Sequence, residues 1–247
     1  MNQLTSPVFS KKESLSHHLQ EWCGRYRYIS YSWVRAQLAK QEIQFPAHTL
    51  RDYLSEAMTK RVIHHSGRGW YSAIPEQAAL DQSVTGPVRQ VLKKRFPFLP
   101  HYVWSTLQIN PWMHHVLGKF VTFVYADGDG PSDVSAFLRQ EGWNTLVNPT
   151  KKTGSALASG EKVVVVRGIR RQFDAQAEPR VETVLVDLLL ENQRLGLMDE
   201  AERQEMSRKL LTERRVEMGA LLARLRDHKR KLEDLIGLPI QPIIAEK

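Results

Sequence analysis

Residues 61–74 read RVIHHSGRGWYSAI. Val62-Ile63 and Trp70-Tyr71 are β-formers, and the five residues between His64 and Trp70 (His65, Ser66, Gly67, Arg68 and Gly69) are turn-prone, so the stretch predicts a hairpin with a basic tip. Three helical patterns precede it. Leu15, Leu19 and Trp22 repeat at helical spacing over 12–24 and meet Gly24 as a C-terminal stop. After a short extended run at 26–29, Ser30 or Ser32 can cap a second helix in which Val34 and Leu38 stand at i, i+4. Pro46 opens a third, with Leu50, Leu54, Ala57 and Met58 on one stripe.

Three helices followed by such a hairpin match a winged helix-turn-helix, whose third helix enters the major groove while the wing touches backbone or minor groove. Thr49, Arg51 and Ser55 on the third helix, Lys60 and Arg61 at its end, and Arg68 at the wing tip are the expected DNA-facing residues. The alternative is that the same module serves protein contact only, its charges forming a solvated surface.

Charge points the same way. The 247 residues carry a formal charge of +8 and a pI near 9.6, which favours a polyanionic partner. The surplus is +5 in residues 1–74, +2 in 75–198 and +1 in 199–247, so a polyanion-binding face belongs to the first third. The longest unbroken apolar runs are about four residues, as at Val163 to Val166, far below the roughly 20 needed to cross a bilayer. No secretory signal pattern opens the chain, and the single Cys23 has no partner for a disulfide or zinc site, so a cytoplasmic protein is expected.

Residues 75–86 (PEQAALDQSVTG) read as a linker, dividing a winged helix-turn-helix domain at 1–80 from a second domain at 81–247. In the second, a short basic helix should stop before Pro97, strand-formers follow Pro100, and PWMHHVLG (111–118) reads as a short helix. Phe120 to Tyr125, Ser132 to Glu141 and Trp143 to Val147 make a strand, helix and strand, with another buried strand at Glu161 to Val166. The expected fold class is therefore α/β in the mixed α+β sense: a small sheet with helices, joined to the winged helix and extended by a helical tail. VETVLVDLLLENQRL (181–195) fits a core helix, and the proline-free run from Glu200 to Leu235 a long amphipathic helix or hairpin. Arg214, Arg215 and His228 interrupt its heptad seam, favouring packing on the chain's own domain over dimerisation.

No catalytic constellation stands in the sequence. Asp127-Gly128-Asp129-Gly130 lacks the acidic series and glutamate of a calcium loop, and reads as a polar turn; a nucleotidyltransferase carboxylate pair would need a preceding Gly-Ser helix and a third carboxylate. No phosphate-binding loop, hydrolase elbow or dinucleotide fingerprint occurs. Glu161-Lys162 lacks the residue that would separate the carboxylate and amine of a restriction-type nuclease, and Asp187 and Glu191, at i, i+4, read as a solvated pair. The paired histidines at 17–18, 64–65 and 114–115 point in divergent directions without acidic or cysteine partners. Lys151 to Ser155 reads as a basic loop. No enzyme activity, metal or cofactor is expected. A metal-dependent nuclease or nucleotidyl-transferring enzyme is the alternative if Asp127 or Asp129 proves essential, and an interaction module of a defence complex if DNA binding is absent.

The winged-helix run from Leu15 to Tyr71, VWSTLQINPWMHHVLGKFVTFVYA, LVNPTKK and VETVLVDLLLEN with its Arg-rich tail resemble the AbiEi-like antitoxins of type IV toxin-antitoxin systems. The resemblance implies an N-terminal domain that binds double-stranded DNA at its own promoter as a repressor, with room for a homodimer on DNA. It also implies a C-terminal domain that opposes a nucleotidyltransferase toxin in phage defence. It carries no catalytic residue.

Overall fold

The computed structural model describes residues 11–115, 117–152, 162–169, 178–237 and 243–245. They fall into two compact units: the described parts of 1–78, 210–233 and 237–247, and those of 79–209 and 234–236. The fold is mixed α and β, with two small sheets.

The first unit begins with α1 (Lys11–Arg25), β1 (Tyr28–Ser30), α2 (Tyr31–Lys40), α3 (Ala47–Thr59), β2 (His64–His65) and β3 (Trp70–Ser72). The three helical stripes meet as expected: Leu15, Leu19, Trp22, Val34, Leu38, Leu50, Leu54 and Ile63 form one buried core. Ser30 Oγ accepts from the Trp33 amide at 3.1 Å and caps α2. β1 pairs antiparallel with β3, and β3 with β2.

The same unit takes in chain from the far end of the sequence. β8 (Ile244–Ala245) lies parallel to β1, completing the order β2-β3-β1-β8. The Tyr28 hydroxyl donates to the Arg214 carbonyl at 2.9 Å and accepts from the Val216 amide at 3.1 Å. A single domain over 81–247 is therefore corrected. The boundary falls at Ala78/Ala79, near the expected residue 80, but residues 210–233 and the described residues from 237 onward return to the first unit. The expected linker is bonded rather than free: Arg215 donates to the Glu76 carbonyl at 2.7 Å and Ala78 to the Arg215 carbonyl at 2.8 Å. That exchange also ends α7 (Glu200–Glu213), because residue 215 spends its backbone groups on residues 76–78. The long helix or hairpin expected over 200–235 is thus three helices: α7, α8 (Met218–Asp227) and α9 (Leu232–Ile236), the second break marked by Lys229 at φ 55°.

The second unit holds α4 (Gly86–Arg95), β4 (His101–Ser105), β5 (Val121–Asp127), α5 (Gly130–Gln140), β6 (Asn144–Val147), β7 (Val163–Ile169) and α6 (Val181–Leu195). Its sheet runs β4-β5-β7-β6, with β7 inserted between the strands of the strand-helix-strand unit; β5, β6 and β7 are parallel and β4 antiparallel. Val88 and Leu92 of α4 and Val134 and Leu138 of α5 share a core with Val103, Val124, Ala126, Val164 and Val166. The strands read as continuous apolar runs because both faces are covered. Residues 106–112 form a 3-10 helix, closed by a capping box between Ser105 and Gln108, and it ends at Trp112. The helix expected over 111–118 does not form: the amides of His114 and His115 donate instead to Glu202 Oε1, at 2.8 and 3.1 Å.

On the other face, register sets Tyr102, Tyr125 and Arg167 in one row across β4, β5 and β7. The two tyrosine rings stack at 4.7 Å. Asp187 accepts from Tyr102 at 2.8 Å, and Glu191 accepts from Tyr125 at 3.1 Å and from Arg167 Nε at 3.0 Å. The solvated pair expected at 187 and 191 is thus buried, Glu191 completely. Desolvation, with the nearby Asp187 carboxylate next, drives the Tyr125 hydroxyl well above its ordinary range and keeps it neutral.

Removing one partner of a buried ion pair strands the other. Arg167→Met leaves the buried Glu191 with only the half-exposed Arg194, 2.7 Å away, and should cost about 3–5 kcal/mol in urea denaturation; equal midpoints for wild type and Arg167→Met would contradict the assigned role.

Candidate nucleic-acid interface

An α-helix advances about 100° per residue, so the stripe of buried Leu50 and Leu54 with half-buried Ala57 leaves an opposite face made of His48, Arg51, Asp52, Ser55 and Thr59. All five are exposed. Arg51 and Ser55 therefore stand where the sequence put them, while Thr49 is half-buried on the flank. His48, Asp52 and Thr59 belong to the open face and were missed, although the spacing of the apolar stripe already implied them. The Arg51 guanidinium lies 5.9 Å from the centre of the Tyr31 ring, within cation-π range. Tyr31 in turn donates to the Ala47 carbonyl at 3.4 Å, linking the start of α2 to the start of α3. No side chain caps the N-terminus of α3, so its first amides remain open to an anion.

Lys60 and Arg61 differ in state although both are exposed. Lys60 Nζ is 2.8 Å from Glu56, whose other oxygen is 2.7 Å from Lys12. One carboxylate thus holds two ammonium groups. The hydrogen bond from Lys12, then that from Lys60, pulls the Glu56 carboxyl down to about 2. The depressed value means that this cluster stabilises the fold above the ordinary carboxylate range, near pH ~4.3, and is lost as pH falls through about 2. Arg61 occupies the left-handed region at φ 58°, where its amide donates to the Met58 carbonyl at 2.9 Å and closes the helix.

The wing divides at its tip. Ser66 and Gly67 are buried, Arg68 and Gly69 exposed. Ser66 Oγ donates to the Val216 carbonyl, and the Ser66 carbonyl accepts from the Gly219 amide at 3.4 Å. A Cβ on Gly67, at φ 87°, would lie 3.1 Å from the Gly219 nitrogen, and one on Gly219 3.2 Å from the Arg68 carbonyl oxygen. One side of the wing is therefore held backbone to backbone, and Arg68 is presented from the other.

His64 borders a cleft shared with Met58, Gln77 and Arg215, where burial, followed by the charges of Arg215 and Arg61, lowers its pKa and favours the neutral ring. Among the described residues no group of three or more His, Cys, Asp or Glu could hold a metal ion. Asp127 turns its carboxylate onto the Gly128 amide at 2.8 Å. The basic loop expected at 151–155 lies mostly outside the described residues, and no helix among them is long and apolar enough to cross a membrane.

Residues 49–240 match a family of unknown function, DUF6577, and the chain belongs to that family. The match begins inside α3 and takes in the wing, the second unit and the segment that holds the wing. No curated protein matches the chain.

Glu56→Gln should release both Lys12 and Lys60 to phosphate. Duplex DNA titrated by fluorescence anisotropy should bind more tightly, with a log K against log salt slope steeper by about 1–2; an unchanged slope would mean that neither lysine faces DNA. Gly219→Val should displace the wing backbone, costing about 1–3 kcal/mol of stability and lowering duplex affinity with it.

Proposed function

We propose that the chain is a sequence-specific regulator that grips double-stranded DNA with α3 and the wing, and represses its own promoter. The observation that carries this reading is the pairing of an open α3 face, bearing Arg51 and Ser55, with an exposed Arg68 on a wing whose opposite side is occupied. Arg51 offers a forked donor to phosphate or to guanine, Ser55 and Thr59 offer hydroxyls, and Arg68 suits a backbone or minor-groove phosphate. Asp52 beside Arg51 accepts rather than donates, which suits discrimination at a cytosine amino group and weakens indiscriminate phosphate binding. Such a protein works in the cytoplasm, needs no cofactor, and performs no turnover.

The resemblance to AbiEi-like antitoxins supports extending the proposal. The second unit would then neutralise a nucleotidyltransferase toxin by protein contact, placing the pair in phage defence, with two copies of the chain on a palindromic operator. This reading requires a nucleotidyltransferase toxin encoded beside the chain; co-expression of the chain with that toxin should restore growth, and growth arrest in its presence would exclude this half of the reading.

A gel shift with the chain's own upstream region tests the DNA half directly. With six phosphate contacts, log K should fall against log salt with a slope of roughly −5. Arg51→Ala and Arg68→Ala should each weaken binding, by about 1–3 kcal/mol if the contact reads a base. Unaltered affinity in both variants would reject the assigned face.

A further inference from the structure

From Gln82 to Ala126 the chain contains no aspartate or glutamate, while Arg89, Lys93, Lys94, Arg95 and Lys119 fall within it. The second unit, nearly balanced in total charge, therefore concentrates cations on one helix. Lys93, Lys94 and Arg95 form the last turn of α4 and are exposed, and neither lysine has a carboxylate partner among the described residues. Between α4 and β4 a cleft of about 290 Å³ is lined by Arg89, Gln90, Lys93 and the buried His101, with no acidic side chain among the described residues of its wall. Arg89 is oriented by Glu178, which it meets at 2.8 Å, and His101 by the Leu99 carbonyl at 2.8 Å from its Nδ1.

Phe98 stands in the five-residue link between α4 and β4 and is 95% exposed. Its neighbours Phe96 and Leu99 pack inward onto α5, Phe96 edge-on to Phe137 at 5.6 Å, so the link is anchored on both sides of an aromatic ring left in water. Phe98 is three positions from Arg95 and three from His101, which keeps their Cα atoms within about 11 Å of its own. Asp127 and Asp129 stand in the adjoining turn, where the Asp127 amide donates to the Pro100 carbonyl at 3.1 Å and its carboxylate accepts from the Gly128 amide at 2.8 Å.

We propose that this surface binds single-stranded nucleic acid, with phosphates on Lys93, Lys94, Arg95 and the cleft of Arg89 and His101, and an unpaired base stacked on Phe98. Cations beside an exposed aromatic ring are what strands without sequence preference require. A duplex keeps its base faces stacked and offers nothing to Phe98, and a protein groove that buried Phe98 would have to be acidic to tolerate its surroundings. The site lies in the second unit and shares no residue with the α3 and wing surface.

Fluorescein-labelled oligo-dT and oligo-rU of 15 nucleotides, titrated into the full-length chain at 50 mM salt, test this. Wild type should bind at least one of them more tightly than a 15-base-pair duplex of unrelated sequence; preference for rU identifies RNA and preference for dT identifies DNA. Phe98→Ala should weaken binding about 5- to 150-fold, the equivalent of about 1–3 kcal/mol per stacked base, and Phe98→Trp should retain it. Replacing Lys93, Lys94 and Arg95 by alanine should flatten the salt slope by about 2. Arg51→Ala should leave oligonucleotide binding unchanged, which separates this site from the proposed operator surface. Absence of oligonucleotide binding, equal binding by Phe98→Ala, or equally tight duplex binding with the same Phe98 dependence would each overturn the proposal. Since Phe98 is exposed, its substitution does not threaten the fold.

Discussion

Two hydroxyl groups hold the first unit together. Tyr28 and Ser66, from β1 and the wing, take up the carbonyls of Arg214 and Val216, and Tyr28 also accepts the Val216 amide. These are buried backbone groups that would otherwise go unpaired at the break between α7 and α8, each at a cost of about 1–3 kcal/mol. The presentation of the wing follows from this arrangement. Because Ser66 and Gly67 are fixed against Val216 and Gly219, the turn has one direction left in which to project Arg68.

The helical stripes, the strand-helix-strand run and the presence of a hairpin were legible because each is a local pattern: Leu50 and Leu54 mark one side of α3 without knowledge of anything distant. The hairpin's first arm, however, is His64–His65 rather than the expected Val62-Ile63. The partners of Tyr28 and Ser66 are 186 and 150 residues away, and no periodicity reports them. The same holds for Asp187 and Glu191. At i, i+4 on a helix they look like a surface pair, and only the cross-strand row of Tyr102, Tyr125 and Arg167 reveals that they face a sheet. The one available clue was Arg167, a charge ending the run Val163 to Val166, since a cation in a strand covered on both faces needs an anion from another element. Of the expected interface residues, Arg51, Ser55 and Arg68 reach open surface, Thr49 sits on the flank, Arg61 is exposed in a left-handed turn, and Lys60 is engaged by Glu56.

The electrostatics of α3 are more measured than the surplus charge of the first third suggests. Arg51 adjoins Asp52 in sequence, and Lys12 and Lys60 share the Glu56 carboxylate, so part of the positive charge around α3 is locally offset. Under the proposed DNA-binding reading, such a surface gives up some long-range attraction and depends more on matched contacts.

The parallel pairing of β8 with β1 has a temporal consequence. On a ribosome the helices and hairpin of the winged helix emerge first, but the strand that completes their sheet comes from residues 244–245, and the loop that braces the wing from 214–219. At elongation rates of ~5–20 residues per second, roughly 8–33 s pass between the emergence of Ala78 and that of β8. A nascent or prematurely terminated chain thus carries the helices without the brace, and only translation carried through to the last strand yields the finished form.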